Sequence, residues 1–310
     1  MSNRSFLSRL IHLSSINSSN YELQVQEYEI IAEVGDGHFE CSSGPDLFCF
    51  YQTGYVGKVW LCNPITKKTL ALSILSDFSG QACLGYVSST NEYKVVVSFE
   101  GKVDDSDDWQ LYSNFEELLS LNILTLKLEE ETSIVGSRRD LLSCTEYSGT
   151  WHQPIHIKRF MCWLAFTKDH MTILEMNLEN EEVKTLCLRN GYSFGFSHLA
   201  DINGHLSVVE NNIDGDMLNI WMLKAHESED WCLVYSVEVH DIPYKFTILG
   251  YLPRNNESTG DIFIWSILGN IFCYETDTKK LKELQSLNRV EYKCSTLFYE
   301  SLFSIGMPGN

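Results

Sequence analysis

Ten cysteines, nine histidines and 42 acidic side chains are what this 310-residue chain offers for chemistry. The cysteines stand at 41, 49, 62, 83, 144, 162, 187, 232, 273 and 294, with no Cys-x-x-Cys pair among them. The opening MSNRSFLSRLIHLSS is interrupted by Arg4, Arg9 and His12, so the apolar stretch of about 7–15 residues that marks a secretory leader is not legible there. A disulfide framework then lacks its usual compartment, and the thiols are expected to be free and to pack as small hydrophobes. The same reasoning leaves the sequons at Asn3, Asn17 and Asn256 unmodified. His152 and His156 are four apart, but Pro154 between them breaks the helix that would put both on one face. No metal and no cofactor is expected.

Two catalytic signatures are missing in the same way: the chain has no Gly-x-x-x-x-Gly-Lys loop and no His-Glu-x-x-His, the arrangements that bind phosphate or hold zinc. Carboxylates are plentiful enough for a glycosidase pair, which needs two of them facing one cleft about 5–10 Å apart. The densest acidic cluster is Asp104, Asp105, Asp107 and Asp108 around Ser106, followed by Trp109. As a calcium loop it fails, because Trp109 occupies the position where an EF-hand needs glycine. It reads as a solvated loop or as a contact surface for a basic partner, with Trp109 as an aromatic anchor. A second acidic tip, His226 to Asp230, brings Glu227, Glu229 and Asp230 between Trp221 and Trp231. Both sets are candidate substrate-binding residues, and no catalytic residue is assigned.

The net charge of −19 bears on partners. Phosphate neutralisation needs clustered Lys and Arg, so nucleic acid is not an expected partner, and anionic membrane surfaces are disfavoured. Aromatic residues make up 12% of the chain, too many for a disordered one, since they supply the buried surface that offsets ordering entropy. The longest uncharged apolar run, Ile262 to Tyr274, has 13 residues and contains Gly269-Asn270. That is short of the roughly 20 residues of a membrane-spanning helix, and it reads as a hairpin. A soluble protein of the cytoplasm or nucleus is expected.

The elements that must carry these residues are strands. Short runs rich in Val, Ile, Leu, Phe, Tyr and Trp alternate with polar turns. Five hairpins are legible at 59–72, 121–135, 171–188, 218–237 and 271–284, their starts 62, 50, 47 and 53 residues apart. Between them lie further hairpin-like units at 82–97, 157–170, 198–210 and 246–265. In the third of these, Asn203-Gly204 predicts a type I′ turn, which needs positive φ at both central residues. Two hairpins per period of about 50 residues make a four-stranded sheet, the repeat of a β-propeller. An all-β propeller of about six four-stranded blades is expected, with the terminal segments 21–31 and 292–305 sharing a closing blade. An irregular β-sandwich is the alternative. No Pro-, Ser- or Gly-rich linker divides the chain, which favours one domain.

Within these units the sequence resembles the plant F-box-associated domain family. Asn63, Pro64 and Thr66 match its Asn-Pro-x-Thr turn, and Gly85-Tyr86 its Gly-Tyr strand. Asn91, Glu92, Tyr93, Lys94, Val95 and Val96 match its Asn-Glu-Tyr-Lys-Val-Val run. LNIWMLKAHESEDWCLVYSV, with Trp221 and Trp231, is similar to its tryptophan strand pair, and YESLFSI to its terminal segment. These are structural residues: Asn63 and Pro64 suit a turn, Lys94 is a polar outlet on a strand otherwise packed on both faces, and Trp221 and Trp231 are large apolar pieces at blade interfaces. The resemblance implies a kelch-like propeller over 21–310, with 1–20 resembling the segment that follows an F-box. It implies a substrate-recognition module of a cullin–RING ubiquitin ligase that binds a target protein. A Skp-type linker is a partner only if an F-box lies upstream. The alternatives are a propeller that binds targets without ligase contact, and a carbohydrate hydrolase.

Overall fold

The computed structural model describes residues 5–17, 20–31, 39–43, 47–52, 58–63, 68–73, 80–99, 119–128, 134–144, 147–167, 170–188, 197–211, 217–225, 229–239, 246–254, 259–266, 270–286 and 297–298. Among these residues the structure is β throughout. The strands, in chain order, are β1 (Ser5–Asn17), β2 (Asn20–Ile31), β3 (Phe39–Ser43), β4 (Phe48–Gln52), β5 (Lys58–Asn63) and β6 (Lys68–Ser73). They continue with β7 (Gly80–Val87), β8 (Glu92–Phe99), β9 (Leu119–Leu128), β10 (Ile134–Cys144), β11 (Tyr147–Ile157), β12 (Phe160–Thr167), β13 (Met171–Asn177) and β14 (Val183–Leu186). The remainder are β15 (Ser197–Ile202), β16 (His205–Asn211), β17 (Met217–Ala225), β18 (Asp230–Glu238), β19 (Phe246–Pro253), β20 (Gly260–Ser266), β21 (Asn270–Glu275), β22 (Lys280–Ser286) and β23 (Leu297–Phe298).

Five sheets of four strands, β3–β6, β7–β10, β11–β14, β15–β18 and β19–β22, each keep sequence neighbours side by side. This is the blade pattern of two hairpins per repeat, and it leaves no place for a two-sheet sandwich. The expectation of about six four-stranded blades is met only in part, because the sheet shared by the chain ends has three strands, in the order β2-β1-β23. There β1 pairs with β23 in parallel, through Ile11↔Leu297 and His12↔Phe298. A sheet assembled from both ends of a chain cannot be a simple meander, which is why it departs from the repeat.

Turn chemistry fixes the hairpins. Asn203 and Gly204 have φ of 54° and 72°, the two positive values of a type I′ turn, and the Asp201 carboxylate accepts the Gly204 N–H at 2.7 Å. The apolar run beginning at Ile262 folds back so that Ile262 pairs with Tyr274. Central strands are covered on both faces: Met161 to Ala165 on β12 and Met171 to Met176 on β13 are all buried. Such strands read as continuous apolar runs. Outer strands such as β18 are largely exposed.

The chain divides into two compact units, one built on residues 30–185 and the other on 5–29 and 186–298. In the first, the strands β3, β7 and β11 that open their sheets lie against one another. One apolar cluster, with Cys49, Tyr51, Leu61, Leu84 and Val95, joins the first two sheets, and a second, with Cys83, Val96, Met161, Trp163 and Leu178, joins the second and third. In the second unit β15 lies against β19, over a cluster that includes Ile202, Ile220, Ile248, Ile262 and Phe272.

Candidate functional site

In the first unit the residues of the Gly-Tyr and Asn-Glu-Tyr-Lys motifs meet. Gly85 on β7 pairs with Lys94 on β8, so both present to the same face of the sheet. Both receive one residue, Leu178, from the turn that follows β13. A Cβ on Gly85 would overlap Leu178 Cδ1 and press on Met161 Cε at 3.1 Å and His156 Cδ2 at 3.3 Å. Lys94 Nζ donates to the Leu178 carbonyl at 2.6 Å and to Glu181 Oε1 at 2.7 Å. The Leu178 N–H donates to the Arg159 carbonyl at 2.8 Å, which ties the β11–β12 turn to the same socket. Glycine is required there for space, and lysine because its long stem carries a charge to a turn on the neighbouring sheet.

The polar outlet read at Lys94 opens inward: its side chain is buried and ends on the Leu178 carbonyl and Glu181. Tyr86 and Tyr93 pack with ring centroids 4.9 Å apart, and Tyr86 Oη donates to Asn91 Oδ1 at 2.7 Å. Asn91 holds φ at 55° to close the turn, and Thr90 Oγ1 donates to Glu92 at 3.0 Å. His156 lies beside the socket. Burial lowers its pKa to about 4, against a backbone hydrogen bond at Lys158 that pulls upward. Asn63 ends β5, while Pro64 and Thr66 lie outside the described residues.

In the second unit, the acidic tip between β17 and β18 is anchored at its end. Glu229, with φ 50°, accepts the Cys187 N–H at 3.3 Å, and Trp231 Nε1 donates to the Cys187 carbonyl at 3.1 Å. Asp230 is exposed. Trp221 and Trp231 are only partly buried, whereas Trp60 and Trp163 are buried. The large buried area expected of the two named tryptophans is reduced because β18, which carries Trp231, is an edge strand and β17, which carries Trp221, is its neighbour. Cys49, Cys83, Cys162 and Cys273 are buried thiols, as expected, whereas Cys187 is exposed and Cys232 partly so. The hydrogen-bonded Glu229 carboxylate pushes the Cys187 thiol upward, which quiets an otherwise reachable nucleophile.

A further charged cluster was not legible in the sequence. Arg254, after β19, grips Asp261 with Nε at 2.9 Å and Nη2 at 2.8 Å, and reaches Asp277 with Nη1 at 2.7 Å. Asp261 has no exposed surface and stands directly across the ladder from Glu275. Glu275 in turn contacts Lys282 and accepts from Thr278 Oγ1 at 2.7 Å; these two partners hold its carboxyl below the usual range. With Asp261 buried under the Arg254 guanidinium, the cluster clamps its own sheet. The only sequence signal was an Asp at the head of the apolar strand Asp261–Trp265.

Asp104, Asp105, Asp107, Asp108, Trp109 and Glu227 lie outside the described residues. The segment carrying the first five joins β8 to β9, the second and third strands of their sheet, whereas that carrying Glu227 joins the third and fourth strands of its own.

Repeated four-stranded meanders of this kind characterise the β-propeller class, and the described polar clusters here hold turns in place. More particularly, the chain belongs to the F-box associated beta propeller domain family, whose model matches residues 3–301. No curated protein matches the sequence. Among solved structures the chain is similar to a protein of unknown function from Bacteroides thetaiotaomicron VPI-5482, with 9% identity and a TM-score of 0.50 over 93% of this chain. It spans 66% of that protein's length, just under two thirds. A nidogen/laminin complex gives 12% identity and a TM-score of 0.44, over 85% of this chain and 82% of the other. A Lactobacillus plantarum protein gives 10% and 0.39, over 94% and 98%. At these identities only the first likeness speaks to the fold, and to nothing else.

Proposed function

We propose that this chain is the substrate-recognition propeller, kelch-like and of about six blades, of a plant cullin–RING ubiquitin ligase. It acts by binding: it positions a target protein so that the ligase modifies the target's lysines, and it makes no bond itself. The observation that carries this reading is the family match over nearly the whole chain. A further support is that the described charged clusters, Lys94 with Glu181 and Arg254 with Asp261, are committed to internal pairs. The partners are a target protein in the cytoplasm or nucleus and, where an F-box precedes this domain, a Skp-type linker.

The acidic tips supply the recognition chemistry. Asp104, Asp105, Asp107 and Asp108 with Trp109, and separately Glu227, Glu229 and Asp230, suit a basic surface on the target, and the net charge of −19 speeds its approach. Affinity capture with the full chain under proteasome inhibition tests the reading. The expected result is a bound protein that carries ubiquitin and is released as salt is raised. A chain that binds no ubiquitin-bearing protein contradicts it.

A further inference from the structure

Sheet edges are where a β protein must guard itself, because the outer strand offers a row of backbone donors and acceptors to any extended chain. The fourth strands here differ in that guard. β14 exposes Lys184, paired with Glu175 at 3.0 Å and set over the Phe160 ring. β22 exposes Lys280 and Lys282, β6 begins at Lys68, and β10 contains Arg138 and Arg139.

β18 has no such residue. Asp230–Glu238 reads DWCLVYSVE, without Lys, Arg or Pro. It ends its sheet, with β17 on one side and no further strand on the other among the described residues. Of the three large hydrophobic residues exposed there, Leu233 at 47% and Val234 at 36% are both on this strand. The ladder to β17 shifts at this point, Ile220 pairing with Tyr235 and Trp221 with Leu233. Val234 is thus the extra residue of a bulge, which interrupts the ladder of an added strand at that one position. The ends are acidic: Glu229 precedes the strand, and Asp230 and Glu238 are exposed.

We infer that the outer edge of β18 takes an extended segment of the partner as an added strand, a short peptide with alternating aliphatic residues flanked by Lys or Arg. Backbone hydrogen bonds to the free edge give the affinity, Leu233 and Val234 cover the aliphatic positions, and Asp230 and Glu238 meet the basic flanks. This deepens the recognition reading above and rests on it for the class of partner.

The probe is the peptide Lys-Arg-Val-Thr-Val-Thr-Val-Arg-Lys added to the full chain. Hydrogen exchange of the 231–238 amides should slow by about fivefold or more. The double variant L233K/V234K should weaken peptide binding by about tenfold or more, with an unchanged thermal melt. Leu70→Lys, which alters the exposed hydrophobic residue of the edge strand β6, should leave binding intact. No protection at β18, protection elsewhere, or equal loss with Leu70→Lys overturns the proposal. So does concentration-dependent dimerisation abolished by L233K/V234K, which would make a second copy the occupant. If L233K/V234K still captures a ubiquitin-bearing target, the edge proposal falls and the recognition reading stands. If the peptide docks on β18 yet the wild-type chain captures no such target, the reading falls and the edge stands.

Discussion

The two units solve one problem, a buried charge near a hairpin turn, in different ways. In the first, a single cation reaches from one sheet to the next: Lys94 on β8 holds the Leu178 carbonyl and Glu181 of the β13–β14 hairpin. In the second, Arg254 stays within its own sheet and binds Asp261 and Asp277, with Glu275 at 3.8 Å. A lysine is a flexible point charge and suits a reach across sheets, while the guanidinium fork suits a fixed two-oxygen grip. The difference teaches that family motif residues can mark contacts between repeats, whereas a local clamp can arise from residues outside any motif.

Breaking the clamp should have the largest effect. Arg254→Met leaves Asp261 with no exposed surface and no guanidinium. Burial already raises the Asp261 pKa to about 7, so the carboxyl takes up a proton and the loss stays at about 3 kcal/mol, the low end for one partner of a buried pair. Urea unfolding read on the second unit checks this; a loss under about 1 kcal/mol would show that the clamp is a surface pair in disguise. Lys94→Met should cost less, about 2–3 kcal/mol, because Glu181 keeps a little solvent, with 13% of its side chain exposed. The double variant with Glu181→Leu should recover part of that loss.

Acid sharpens the contrast from the first unit's side. His156 has a pKa of about 4 when folded, lowered from 6.5 by burial, so the unfolded state binds the proton first as pH falls. The stability it contributes is full above pH 6.5 and is lost as pH drops toward 4. Between pH 7 and 5 the loss should be about 2 kcal/mol, and His156→Gln should flatten that part of the curve relative to wild type. Parallel curves for the two proteins would refute the neutral, buried ring. The smallest effect concerns the thiol: Glu229→Gln removes the carboxylate that raises the Cys187 pKa. Iodoacetamide should then label Cys187 roughly two- to threefold faster at pH 7.5, and an unchanged rate would mean that Glu229 acts only on the backbone.

The hairpins were legible because central strands buried on both faces, such as Met161–Ala165, leave unbroken apolar runs, and because Asn203-Gly204 names its own turn geometry. The parallel pairing of β1 with β23 was not, since nothing in a local pattern says which distant strand a terminal strand will join. Gly85 and Lys94 were legible as a motif, yet their shared function was hidden, as Leu178 and Glu181 lie more than 80 positions away in sequence. Arg254 and Asp261 are seven apart, but an arginine in a polar turn looks like any solvated charge until the fold seals its partner. Of the acidic tips, Glu229 turned out to be tied to Cys187, an interaction that residue type alone does not announce.

The most direct test of a recognition module for ubiquitin transfer is the lifetime of what it binds. Proteins captured by the full chain should be followed by pulse–chase in cells with and without it. Their half-lives should lengthen when the chain is removed, and lengthen equally under proteasome inhibition in its presence. Captured proteins whose half-lives and ubiquitin content are the same with or without the chain would contradict a role in ubiquitin transfer.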